Sequence, residues 1–332
     1  MHIELNTDQV DPFHILTSTR MVLKDAELVS INTNALPALG KVLEEIMPAM
    51  KTRYIGTNKE QDVASAAQKA FILNTLNFCF WAEQNAPIWT IEWPKGKIHR
   101  GGVYALMAAL DRAEADGYPI YNATYLSHLS LRDARSIWRS ETSASIPLLH
   151  ERVKNLREAG RVLSRLANGN FLNVIESINH DAIDLARALI KNFPSFNDTT
   201  QFNGKRVYFS KRAQICAHSI ALLSSLFPKL ALHNTEQLTA FADYRLPQVY
   251  RHFDILHLHK KLADTVDTYQ LILQDSREEI EIRSATIWVA ELLRQYFGGT
   301  YTVRDIDFAS WLLSQKIKND MLPHIRVYTI CY

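Results

Sequence analysis

Residues 241–248 read Phe-Ala-Asp-Tyr-Arg-Leu-Pro-Gln, an acid set between aromatic and cationic neighbours. Phe241 and Tyr244 can exclude water from the Asp243 carboxylate, Arg245 can hold an anion, and Pro247 fixes the backbone just beyond. A carboxylate so placed can act as a nucleophile or as a fixed charge opposing a developing cation. The plainer reading is a helix end whose Asp and Arg form a surface pair of little energetic weight. A second chemical site follows a hairpin signal. Phe202 and Val207 flank Asn203-Gly204, the dipeptide suited to a tight turn, and the return strand delivers the chain to Ser210-Lys211-Arg212. Ser210 is placed to cap the next helix, so Lys211 and Arg212 would sit where free backbone N–H groups attract anions. The plainer reading there is a solvated basic first turn.

The elements that must position these groups are mostly helices. From 61 to 83 there is little Gly or Pro, and Val63, Ala66, Ala67, Ala70, Phe71, Asn74, Phe78 and Trp81 recur at three- and four-residue spacing. This predicts one long amphipathic helix with Asn77, Phe78 and Trp81 on one turn. An aromatic stripe is ordinarily core, but an amide within it needs a hydrogen-bond partner. Residues 88–93 are rich in aromatic and β-branched types, and 94–97 offer a turn to a short return strand, giving with the 202–207 hairpin two small β ribbons. Further helices are expected over 104–115, from near Pro147 to the Asn168-Gly169 stop, and over 181–192. Ser276 with Glu279, and Thr302 with Asp305, form cap-like pairs that announce helices ending near Gly298 and Ile317. Asp307 shares a helix face with Trp311, which predicts a partly desolvated acid.

Composition narrows the class. A chain of 332 residues can bury a large core as one domain, or as two tightly packed lobes with no marked boundary. Its formal charge of +2 gives no global field for long nucleic acids. Cys79, Cys216 and Cys331 are scattered without metal-ligand spacing, which predicts buried thiols, no disulfide and no metal. The first residues carry acids where a signal peptide has lysines, and no apolar run approaches the roughly 18 residues of a membrane span. A cytoplasmic protein follows, without a membrane or a stable nucleic-acid partner.

Four blocks resemble the queuosine salvage protein family: 74–81 (Asn-Thr-Leu-Asn-Phe-Cys-Phe-Trp), 208–214 (Tyr-Phe-Ser-Lys-Arg-Ala-Gln), 241–248, and 279–283 (Glu-Ile-Glu-Ile-Arg). The ending, Pro323 to Tyr332, is similar too, and weaker similarity from about Leu23 onward keeps the blocks collinear. The resemblance implies a monomeric, cofactor-free N-glycosylase that hydrolyses queuosine 5'-phosphate to queuine and ribose 5-phosphate. It also implies a mainly α fold like that of helix-hairpin-helix DNA glycosylases in general architecture. On this reading Asp243 opposes the sugar cation and Asp307 is the second acid, although Ala309-Ser310 stand where the family has bulkier residues. Asn77, Phe78, Trp81 and Phe209 are candidates to grip the base, and Glu279 or Glu281 to meet its cationic side-chain amine. Lys211 and Arg245 are first choices for the phosphate, with His324 and Arg326 behind them.

Two other classes are weighed against this one. A DNA glycosylase would want a Pro-Gly-x-Gly hairpin before Asp243 and a stronger basic field, and neither is present. A non-enzymatic helical module binding RNA or protein is permitted by aromatic-rich helices alone.

Overall fold

The Arg277–Tyr296 helix is buried without a break from Glu279 to Glu291. A helix covered on every face must lie at the centre of its domain. In the computed structural model, which describes residues 5–50 and 62–332, the helices Ile15–Lys24, Leu36–Met50, Arg245–His252 and Val303–Lys316 pack around it. Residue 61 of the expected long helix and residues 1–4 of the N-terminal segment lie outside the described residues.

A second helical group contains Val63–Thr75, Leu149–Ala167, Phe171–Ser177, Ala182–Asn192 and Lys211–Leu223. Phe71 stacks on Phe171 at 4.3 Å between centroids and also meets Phe193 and Phe196. The short Ala123–Ser127 helix lies so close to Leu149–Ala167 that a Cβ on Gly160 would fall 2.4 Å from the Ala123 carbonyl oxygen. Only glycine permits that approach.

The expected helix caps are largely present. Ser276 accepts the Glu279 N–H, and Thr302 with Asp305 forms a reciprocal capping box. Ser210 does not cap its helix: it takes a left-handed φ of 52° with no side-chain bond. The Asp198 carboxylate does so instead, accepting the Lys211 N–H at 3.0 Å.

Three two-stranded antiparallel sheets are found among the described residues, against the two ribbons expected. Thr90–Glu92 pairs with Ile98–Arg100, and Thr199–Phe202 with Lys205–Tyr208 across Asn203 and Gly204, both at positive φ. The third joins Val29–Ile31 to Leu256–Leu258. Its partners are too far apart in the chain for any turn signal to announce them.

The long helix expected over 61–83 ends at Thr75. Two buried arginines bind the chain at that end. Arg152 donates to the carbonyl oxygens of Leu76, Phe78, Cys79 and Pro147, and Arg212 donates to those of Asn74, Thr75 and Ser195. These donors satisfy backbone carbonyls that the helix, stopping at Thr75, leaves without i+4 partners. Asn77, Phe78 and Trp81 therefore lie on an irregular segment, with Cys79 at φ 43°.

Candidate active site

The irregular segment forms one wall of a cavity of about 880 Å³. Asn77, Phe78, Trp81, Lys211, Asp243, Arg245, Asp307 and His324 all line it. The volume suits a small organic ligand. Arg152 sits over Phe78 and Phe80, at 4.3 and 5.0 Å from the ring centroids, and so fixes the rings as well as the backbone. The Trp81 indole N–H donates to the Val327 carbonyl, which ties the same wall to the C-terminal segment.

The two oxygens of Asp243 differ in their surroundings. Oδ1 accepts the N–H groups of Arg245 at 2.7 Å and Leu246 at 3.1 Å, so the helix-end reading of this residue is correct as far as it goes. Oδ2 has no hydrogen-bond partner among the described residues, and the side chain lines the cavity. Phe241 and Tyr244 are buried beside it.

Asp307 is 5 % exposed, on the Val303–Lys316 helix, and its Oδ2 accepts the Phe241 N–H at 2.7 Å. Burial pushes its carboxyl up to about 8, and the Asp243 charge adds to the effect against Lys211 and the Phe241 N–H. Asp307 is thus set to hold a proton where an ordinary carboxyl has lost it. The folded protein retains the Asp307 proton up to about pH 8, whereas an unfolded chain loses it near 3.8. Within that window folding carries an extra proton, so stability falls as pH rises, by about 1.4 kcal/mol per pH unit. Asp307→Asn, which lacks the titration and keeps an acceptor for Phe241, is expected to gain on the wild type in melting temperature between pH 5 and 8. Parallel melting curves for the two proteins across that range would show that Asp307 is charged throughout.

The cations differ in kind. Lys211 is 4 % exposed, and the one hydrogen bond of its Nζ among the described residues is to the Asn77 carbonyl, at 3.5 Å. Burial lowers its pKa, opposed most by the charge of Asp243. Arg245 donates to Gln248 Oε1 at 2.9 Å and lies over the Tyr244 ring. His324 is a poorer match to a phosphate. Burial and Arg245 hold it neutral, its Nδ1 bonds the Ile325 carbonyl, and the other nitrogen is then an acceptor. Arg326 lies behind the wall, 5.6 Å from the Trp81 ring and 4.5 Å from that of Tyr269.

Like Arg326, three more sequence candidates lie off the cavity. Phe209 is buried under the Arg283 guanidinium at 3.9 Å. Glu279 accepts the Tyr332 hydroxyl and the Asp275 N–H, and Glu281 accepts the N–H groups of Glu27 and Leu28 while pairing with Arg277. Burial with these internal partners leaves neither carboxylate for a ligand. The acid that does line the cavity beside Asp243 and Asp307 is Glu83, which is exposed and bonded to the Tyr328 hydroxyl.

Sequence reasoning missed the continuation of two helix faces. Ile215, His218, Ser219 and Leu222 extend the Lys211 face along the cavity, and Phe308 and Gln315 extend that of Asp307 and Trp311. Helical spacing from Lys211 and Asp307 was a sufficient signal for both. Tyr104, Phe308 and Trp311 supply further aromatic wall, with Phe308 and Trp311 stacked at 7° between planes.

The cavity thus combines a carboxylate oxygen without a hydrogen-bond partner among the described residues, a second acid whose carboxyl is raised by burial, aromatic walls and local cations. The family model described as Queuosine salvage protein matches residues 57–332. A Sphaerobacter thermophilus protein named queuosine 5'-phosphate N-glycosylase/hydrolase is 34 % identical, over 98 % of this chain and 99 % of its own. Proteins of the same name from Mus musculus and Schizosaccharomyces pombe are 35 % and 28 % identical. The mouse match covers 68 % of this chain and 66 % of its own, the yeast match 94 % and 99 %. The chain belongs to the queuosine salvage protein family.

Proposed function

We propose that the protein hydrolyses the N-glycosidic bond of queuosine 5'-phosphate, yielding queuine for reuse in tRNA modification and ribose 5-phosphate. The observation that carries this reading is the placement of Asp243 and Asp307 on one aromatic-walled cavity, where burial raises the Asp307 carboxyl. Breaking the bond develops positive charge at the anomeric carbon, which the Asp243 carboxylate opposes. A 7-deazaguanine has a carbon where a purine has N7, so help for the leaving base must reach it elsewhere. Asp307 holds a proton at neutral pH and can donate a hydrogen bond or that proton to the base. Water supplies the hydroxyl that ends on the sugar.

In this reading the base lies against Phe78 and Trp81 with Asn77 at its polar edge, and Arg245 and Lys211 receive the phosphate. Glu83 takes over the task for which Glu279 and Glu281 were candidates, meeting the cationic amine of the base's side chain. The enzyme acts as a single domain and a monomer in the cytoplasm, without metal or cofactor, and its helices share the general architecture of helix-hairpin-helix DNA glycosylases.

Incubation with queuosine 5'-phosphate followed by chromatography tests the proposal, with queuine and ribose 5-phosphate as the expected products. Guanosine 5'-phosphate offers no side-chain amine, and loss of a charge-assisted contact predicts kcat/KM lower by on the order of 10- to 100-fold. Intact queuosine 5'-phosphate would reject the activity. Equal rates on both nucleotides would reject the assigned base recognition while leaving hydrolysis standing.

A further inference from the structure

The Glu279–Arg283 stretch is not part of the cavity lining, yet it carries one of the most connected side chains in the protein. Arg283 is 3 % exposed and grips Asp198 with both terminal nitrogens, at 2.9 and 2.7 Å. Its Nε donates to the Ala242 carbonyl at 3.4 Å, one residue before Asp243. Its planar face lies between the rings of Phe209, at 3.9 Å, and Tyr332, at 4.5 Å. Asp198 completes the connection on the other side: Oδ2 also accepts the Lys211 N–H at 3.0 Å, and its backbone oxygen accepts the N–H groups of Phe209 and Ser210.

We propose that Asp198 and Arg283 are positioning residues for the reaction, a buried forked pair that fixes Asp243 and Lys211 relative to each other across two chain segments. The inference rests on the role given above to Asp243. Burial alone would raise the Asp198 carboxyl, but the Arg283 guanidinium beside it outweighs this and holds it below the usual range. The pair is therefore charged at working pH. For stability alone such a pair is a poor choice, because two well-packed apolar residues do as well or better. What apolar residues cannot do is hold three defined hydrogen-bond directions at once, toward Asp198, the Ala242 carbonyl and the Lys211 amide. The left-handed backbone at Ser210, which lacks a side-chain cap of its own, is kept in place by the same aspartate.

The test separates support of the fold from support of the site. Arg283→Met and Asp198→Asn are each expected to melt lower than the wild type, since each leaves a buried group unpaired. The paired variant Asp198→Leu/Arg283→Met removes both charges and is expected to regain much of that stability. Its kcat on queuosine 5'-phosphate should nevertheless stay on the order of 100-fold below the wild type, the scale of a small misplacement of reacting groups, with KM changed far less. Arg283→Lys, which keeps the charge and loses the fork, should fail to restore kcat. A paired variant that folds and turns over at the wild-type rate overturns the proposal. Should the paired variant not fold, Asp198→Asn decides: a wild-type kcat per folded molecule overturns the proposal, and a lowered kcat at near-normal KM upholds it. A wild-type protein that leaves queuosine 5'-phosphate intact overturns the functional reading itself, and is told apart by needing no variant.

Discussion

Asp243→Asn is expected to fold, to bind queuosine 5'-phosphate, and to lose at least about 100-fold in kcat, the scale of removing one electrostatic catalytic group. The fold survives because the asparagine oxygen can accept the same two N–H groups, from Arg245 and Leu246, that now bond Oδ1. The start of the Arg245–His252 helix then keeps its partners and loses only the interaction of a charge with the helix dipole, about 0.3–1 kcal/mol. The second oxygen is replaced by an amide NH₂, whose partial positive charge faces the developing sugar cation instead of opposing it. Single-turnover measurement with thermal melting checks both halves. A well-folded variant with near-normal turnover would remove Asp243 from the chemistry and leave it as a helix cap.

The largest effect on stability is expected from Arg152→Met. The arginine is fully buried without a carboxylate partner among the described residues, and four carbonyl oxygens hold it: those of Leu76, Phe78, Cys79 and Pro147. A methionine fills similar space and takes the donor from the Phe78, Cys79 and Pro147 oxygens, each at a cost of about 1–3 kcal/mol before relaxation, while the Leu76 oxygen keeps the Phe78 N–H. Partial compensation brings the total to about 3–5 kcal/mol, a fall on the order of 10 °C in melting temperature. Because the same carbonyls shape the Asn77–Trp81 wall, surviving activity should show a raised KM. Arg152→Lys is expected to recover little, as one ammonium cannot serve four separated acceptors. An unchanged melt would mean that the 76–79 segment is held by its neighbours alone.

What the sequence revealed follows the range of the interactions involved. Ser276, Thr302 and the Asn203-Gly204 turn are local devices, satisfied within three residues, and each sits where its pattern indicates. The end of the Val63–Thr75 helix is not local. The apolar rhythm runs past Thr75, and the carbonyls beyond the helix end take their donors from Arg152 and Arg212, distant in the chain. The same holds for the cap of the Lys211–Leu223 helix, where Asp198 displaces the Ser210 that proximity would choose. At the cavity, residues whose types were unusual for their setting, such as Asn77, Asp243 and Asp307, were found. Glu279 is a candidate through the resemblance, and Arg283 stands in the same block, but a buried charge is unusual whether it meets a ligand or another buried group. Its partner decides between the two, and Asp198 and Tyr332 are not adjacent in the chain.

The tie between Trp81 and Val327 spans 246 residues, and beside it the Cys79 N–H donates to the Tyr332 carbonyl. During synthesis at roughly 5–20 residues per second, the aromatic wall emerges roughly 10 to 50 seconds before the strand of chain that closes it. Through that interval Phe78, Phe80 and Trp81 have no C-terminal cover, and apolar surface exposed for so long is what holding chaperones engage. A chain that stops short of Pro323 therefore has most of its helices but an open, unfinished cavity.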